Sequence, residues 1–187
     1  MPFILASSSP RRLALLKDIG ITPDKIVAAE IDETPKPKEL PRQLAQRLAL
    51  EKLNSVALRE PKGIVLAADT VVACGRRILP KAENAADVCA CLKILSGRRH
   101  HVYTAVALRA ASGKIMQRIA DSIVTFQLLA PQDIEAYAAS DEGIGKAGGY
   151  AIQGRAAAHI RFICGSYSNI VGLPLYEVSQ MLRSTGA

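Results

Sequence analysis

Short unbroken apolar runs alternate with segments in which apolar positions return every three or four residues, so strands and helices are predicted in turn. Residues 3–6 read as a short buried strand. Ser9-Pro10 then looks like an N-cap with proline in the first turn, opening a helix with Leu13, Leu15, Leu16 and Ile19 that stops at Gly20. A proline-rich, charged loop covers 32–41, and a second helix runs over 41–59 with Leu44, Leu48, Ala49, Leu53 and Val56 on one broad face. Residues 63–73 are almost continuously apolar, the pattern of a strand buried on both faces. Asn84 is placed to cap a helix carrying Val88, Cys91, Leu92 and Leu95, closed by Gly97. Strands follow at 103–109 and 114–129, joined by a turn at Ser112-Gly113. A helix over 131–139, a glycine-rich stretch, a strand at 160–163 and a helix over 174–183 complete the chain. Interleaved strands and helices with at least one hairpin predict an α/β protein on a mixed, twisted sheet with flanking helices.

Composition narrows the function classes. The chain has 187 residues, 49% of them hydrophobic and 22% charged, which suits a packed domain and argues against disorder. Lys and Arg exceed Asp and Glu by 24 − 17 = +7, a surplus that suits an anionic ligand without choosing among nucleotide, nucleic acid and membrane surface. Aromatics are only 4%, too few for base-stacking platforms along a single strand. Cys74, Cys89, Cys91 and Cys164 lack CxxC spacing and read as free thiols rather than zinc ligands. No apolar segment is long enough to span a membrane and the first residues do not form a signal peptide, so a cytoplasmic protein with no membrane partner is expected.

The strongest chemical signal is Ser7-Ser8-Ser9-Pro10-Arg11-Arg12, between the first strand and the first helix. Amide N–H groups at a helix start attract anions, while arginines in that turn oppose the helix dipole unless an anion binds there. A polyphosphate would supply the missing reason, with arginine forks gripping its oxygens. Asp69 interrupts the apolar run from 64 to 72, and a buried carboxylate needs a metal, a cation or hydrogen-bond donors; backbone N–H groups are the structural alternative. Lys52 lies on the apolar stripe of its helix, eight residues beyond Leu44, where it serves a site or snorkels from the edge. Lys81, after a hairpin-like turn at Gly75-Arg76-Arg77, and the spare carboxylates of the segment Glu30-Ile31-Asp32-Glu33 are weaker candidates. The GxGxxG match from Gly143 to Gly148 follows a polar loop rather than a strand, and Ala147 spoils a P-loop, so both are set aside.

Together ASSSPRR, EIDE, AADTVV, LPK, LSGRRHHVYTAVAL, GKAGGYAIQG and GSYSNIVGLPL resemble the Maf family, in order and over essentially the whole chain. The resemblance implies one Maf-like domain over 1–187 with two lobes around a central cleft, akin to inosine-triphosphate pyrophosphatases. It implies hydrolysis of nucleoside triphosphates to monophosphate and pyrophosphate with a divalent metal cation, Mg²⁺ or Mn²⁺. On this chain Asp69 matches the catalytic proton acceptor, and Ser7, Arg11, Arg12, Lys52 and Lys81 the phosphate-binding set. Glu33 joins Asp69 as a metal partner. Arg11, Thr70 and Gln153 match the positions that separate subgroups, and their identities point to dTTP and UTP. One departure is Ala82, where relatives carry proline. No specific nucleic acid is expected as a partner, and a homodimer is left open. The rival class is a nucleotide- or nucleic-acid-binding regulator of cell division without turnover.

Overall fold

A computed structural model describes residues 1–185. Seven strands form one mixed sheet: β1 (Phe3–Ala6), β2 (Lys25–Ile26), β3 (Ile64–Cys74), β4 (Arg77–Leu79), β5 (Arg99–Arg109), β6 (Ile115–Phe126) and β7 (Ile160–Cys164). Their order is β2-β1-β3-β5-β6-β7, with β4 folded back on β3. β1 runs parallel to β2 and β3, whereas β3, β5, β6 and β7 pair antiparallel in succession. The helices are α1 (Pro10–Asp18), α2 (Pro41–Arg59), α3 (Ala85–Leu95), α4 (Pro131–Ala138), α5 (Tyr167–Val171) and α6 (Leu175–Arg183), with a 3₁₀ turn at Arg155–His159.

The two faces of the sheet carry separate cores. Strand side chains alternate between faces, so Val65, Ala67 and Val71 of β3 pack with Leu44, Leu48, Leu53 and Val56 of α2, while Leu66, Ala68 and Val72 pack with the other helices. Ala45 and Ala49 of α2 share that first core with Ala67, Ala105 and Ala107. Small side chains on both surfaces let the long helix lie close to the centre of the sheet. The expected α/β class and flanking helices are therefore present, and β3, almost wholly buried, is the central strand its composition predicts.

Several boundaries differ from the sequence reading. Ser9 occupies the cap position of α1 but makes no side-chain capping bond, whereas Asn84 does cap α3, accepting from the Asp87 amide at 3.0 Å. The turn before β4 is Gly75-Arg76, with Arg77 already paired to Cys74; Gly75 has φ 61°, the left-handed conformation such a turn needs. β5 starts at Arg99 rather than 103, because Gly97 and Arg98 are already bonded to the end of β6. The last two positions of the expected 1–187 domain lie outside the described residues. Among the described residues the four cysteines are free, and no helix is long and apolar enough to cross a membrane.

One buried contact ties the glycine-rich stretch to the sheet. His100 of β5 is fully buried, its Nε2 lies 2.7 Å from Tyr150 Oη, and Phe126 packs against both rings. Burial holds the His100 imidazole down at about 4, with neighbouring His101 acting in the same direction. Between pH 6.5 and about 4 the unfolded chain therefore binds a proton at this residue that the native protein excludes. Stability should fall as the pH drops through that window, by about 3 kcal/mol in total from this group. Melting curves of wild type and His100→Gln check this: the wild type should lose the greater share of its Tm between pH 6.5 and 4, and equal slopes would contradict it.

Candidate active site

The alternation of β3 delivers two neighbouring polar residues to opposite sides of the sheet. Asp69 faces α2, and Thr70 faces the side covered by α1 and α5. Asp69 is only 4% exposed, and its partner is Lys52, 8% exposed, whose Nζ lies 2.5 Å from Asp69 Oδ1. The cation demanded by a carboxylate in an apolar strand thus comes from the one charged position on the buried stripe of α2. Lys52 also reaches Glu33 Oε1 at 2.6 Å, and Lys81 Nζ lies 2.5 Å from Glu33 Oε2. The four side chains form a continuous row, Asp69–Lys52–Glu33–Lys81. Partial burial works against ionisation of Glu33, but the hydrogen bonds and charges of the two lysines overcome it and hold the carboxyl at about 2.

On the other side, Arg12 is bound by oxygens from three directions. Its Nε donates to Gly172 O at 2.8 Å, Nη1 to Ser7 Oγ at 3.3 Å and Nη2 to Thr70 Oγ1 at 3.2 Å. A guanidinium has five N–H groups, so one remains on each terminal nitrogen. Burial lowers the affinity of Arg12 for its proton, Asp69 acts against this, and Arg11 adds to it.

A cleft of about 340 Å³ brings these groups together, and every site residue expected from the sequence lines it: Ser7, Arg11, Arg12, Glu33, Lys52, Asp69, Thr70, Lys81 and Gln153. A more apolar hollow of about 520 Å³, with Leu44, Leu48 and Ile78 in its wall, shares Glu33, Asp69, Thr70 and Lys81 with the cleft.

The sequence reading passed over the lysine of the glycine-rich stretch. No α-helix opens directly after Gly143 to Gly148, as a dinucleotide-binding turn or a P-loop would require, yet Gly145, Lys146 and Ala147 line the same cleft. Gly148 makes the bend with φ 72°, and a Cβ there would sit 2.8 Å from Val72 Cγ1. Burial and the nearby charge of Arg11 lower the Lys146 ammonium. Gly148 N donates to Pro80 O at 3.0 Å and Ala82 N to Lys146 O at 3.2 Å, tying the stretch to the strand end that carries Lys81. The second bond needs an amide hydrogen, which Ala82 has and a proline would lack.

The donor chemistry suits a hard cation. Among the described residues no group of three or more His, Cys, Asp or Glu side chains is placed to hold a metal. Glu33 and Asp69 supply carboxylate oxygens that converge on one ammonium. Mg²⁺ commonly takes one or two carboxylates and completes its shell with phosphate oxygens and water, so this pair fits it as a shared rather than fully protein-held ion.

Known proteins resemble the chain over nearly its full length. A relative from Zymomonas mobilis named dTTP/UTP pyrophosphatase is 55% identical over 183 residues, covering 98% of this chain and 91% of its own. Another of the same name, from Gluconobacter oxydans, is 57% identical over 185 residues, covering 96% and 85%. Among solved structures, the Staphylococcus aureus Ham1 protein is a partial likeness, with a TM-score of 0.48 and 14% identity over 66% of this chain and 71% of that one. The profile of the family described as "Maf-like protein" matches residues 2–185, so the chain belongs to the Maf-like family.

Proposed function

We propose that the protein hydrolyses dTTP and UTP to the nucleoside monophosphate and pyrophosphate, and that the cleft is its active site. The observation that carries this reading is an asymmetry of charge. Buried Asp69 and its lysine partner open on the same cleft as Arg11, Arg12 and Lys146, which have no ion-pair partner among the described residues. A triphosphate, with about four negative charges, would supply the missing counter-charge, and little in its transfer chemistry needs covalent help from protein. The names of the relatives narrow the nucleotide to dTTP and UTP.

In this reading the two free N–H groups of Arg12 grip phosphate oxygens in a forked pair, and Arg11, Lys81 and Lys146 add charge around them. Asp69 accepts the proton of the attacking water as the water oxygen bonds to the α-phosphorus. The bond from that phosphorus to the bridging oxygen breaks, and pyrophosphate departs with its charge offset by the cations. Lys52, 2.5 Å from Asp69 Oδ1, supplies the counter-charge that a buried carboxylate needs and holds it aimed in its apolar setting. Glu33 and Asp69 are the residues that would hold a divalent cation of the Mg²⁺ or Mn²⁺ type, which when bound supplies further positive charge to the phosphate oxygens. The carboxylate pair also makes the cleft a poor cradle for a nucleic-acid backbone, which weighs against the regulator reading.

Gln153 would read the base. Uracil and thymine present an imide edge of acceptor, N–H donor and acceptor, and one glutamine amide offers a matching acceptor and donor. Gln153→Glu replaces the donor with a second acceptor and should cost about 1–3 kcal/mol, roughly ten- to a hundredfold in kcat/KM, for dTTP and UTP. GTP should suffer less; equal losses on both classes would remove Gln153 from base recognition. The activity itself is tested by incubating the purified protein with dTTP or UTP and Mg²⁺ and separating the products by ion-exchange chromatography. Monophosphate and pyrophosphate are expected, and diphosphate with orthophosphate as first products would overturn the assignment.

A further inference from the structure

Behind Thr70 lies a chain of hydroxyl groups whose directions can be assigned. Thr70 and Thr104 are directly opposed on β3 and β5, and their hydroxyl oxygens are 2.9 Å apart. Thr104 Oγ1 also donates to the backbone carbonyl of Asn169, at 2.9 Å, in α5. A carbonyl can only accept, and a hydroxyl has one proton. Thr104 must therefore give its proton to Asn169 O, and Thr70 must give its own to Thr104. The Thr70 oxygen then faces the cleft as an acceptor only, and Arg12 Nη2 donates to it at 3.2 Å.

The far end of the relay is firmly held. Asn169 is fully buried, and its Nδ2 donates to Val102 O at 2.9 Å and to Ser122 Oγ at 2.8 Å. Three residues further along the same segment, Gly172 O accepts from Arg12 Nε at 2.8 Å. The segment that fixes the hydroxyl relay thus also fixes the arginine directly. Thr104 is itself fully buried and is absent from the cleft lining.

We infer that Thr104 is a positioning residue for Arg12: by taking the Thr70 proton it makes Thr70 a fixed acceptor that holds the guanidinium, so Thr70 acts on the phosphates through Arg12 and does not donate to the base. This rests on the reading of the cleft as a triphosphate site, but the relay itself can be tested without ligand. Thr104→Val keeps the shape of the side chain and removes its hydroxyl, leaving the Thr70 proton free to turn toward Arg12 and repel it. Thr104→Ser restores the relay.

The test pairs nuclear magnetic resonance of the ligand-free protein with steady-state kinetics. The Arg12 Nε–H signal, assigned by its loss in Arg12→Lys, should exchange slowly with solvent in wild type and Thr104→Ser and faster in Thr104→Val. KM for dTTP, UTP, CTP and GTP should rise together in Thr104→Val, about tenfold as for one charge-assisted hydrogen bond, while kcat changes far less. The valine also leaves the Asn169 carbonyl without its partner, so Thr70→Val, at a less buried position, is measured beside it. It should give the same exchange and kinetic changes, and the double variant should be no worse than Thr70→Val alone. Unchanged Arg12 exchange in folded valine variants would overturn the relay, as would a KM rise confined to dTTP and UTP. Loss of Arg12 protection in an enzyme that turns over none of the four triphosphates would sustain the relay and instead refute the function proposed for the cleft.

Discussion

The site is organised by the need to satisfy one buried carboxylate. Asp69 stands in the central strand between Ala67 and Val71 on the face toward α2, where an unpaired charge would cost several kcal/mol. The fold answers with Lys52, and α2 can place that ammonium because its alanines share a core with those of β3 and β5. Lys52 in turn draws in Glu33, and Glu33 draws in Lys81. A well-packed apolar pair at positions 52 and 69 would often be as stable or more so. Retaining two charges there makes chemical sense if the carboxylate has work to do in the cleft.

The adjacent residue on β3 meets a different requirement. Thr70 belongs to a network that runs through Thr104 to Asn169 and fixes Arg12 together with Ser7 and Gly172. One strand therefore separates an acidic, lysine-balanced row from an arginine whose remaining donors are free. The glycine-rich stretch joins the two by backbone bonds to Pro80 and Ala82, bringing Lys146 and Gln153 to the same cleft. Tyr150, anchored on His100, holds that stretch to the sheet.

Much of this was legible in the sequence because the residues broke local rules. Asp69 interrupted an apolar strand, Lys52 an apolar helix stripe, and Arg11 and Arg12 opposed a helix dipole. Each violation marked a residue that now lines the cleft. Elements without a violation or a full period were missed. β2 is two exposed residues long, and α5 is too short to display a helical repeat. Lys146 lay hidden in a stretch rejected for the wrong nucleotide motifs, since a loop closed by tertiary bonds has no periodicity to read. Glu33 and Gln153 stood out only through family resemblance: ordinary charged or polar loop residues carry no physical signature until the fold brings them to a partner. The hydroxyl relay depends on cross-strand register, which spacing along the chain does not display.

The central claim is that Asp69 serves chemistry rather than only the fold. The most direct test measures kcat for dTTP with saturating Mg²⁺, alongside the affinity for a non-hydrolysable α,β-methylene analogue, in wild type and Asp69→Asn. The exchange removes charge and basicity with little change in volume. kcat should fall by about 10²-fold or more, the range of a positioned proton acceptor, while much of the affinity for the analogue survives. Near-normal turnover in a folded Asn variant would show that the buried carboxylate is there for the fold alone and contradict the account.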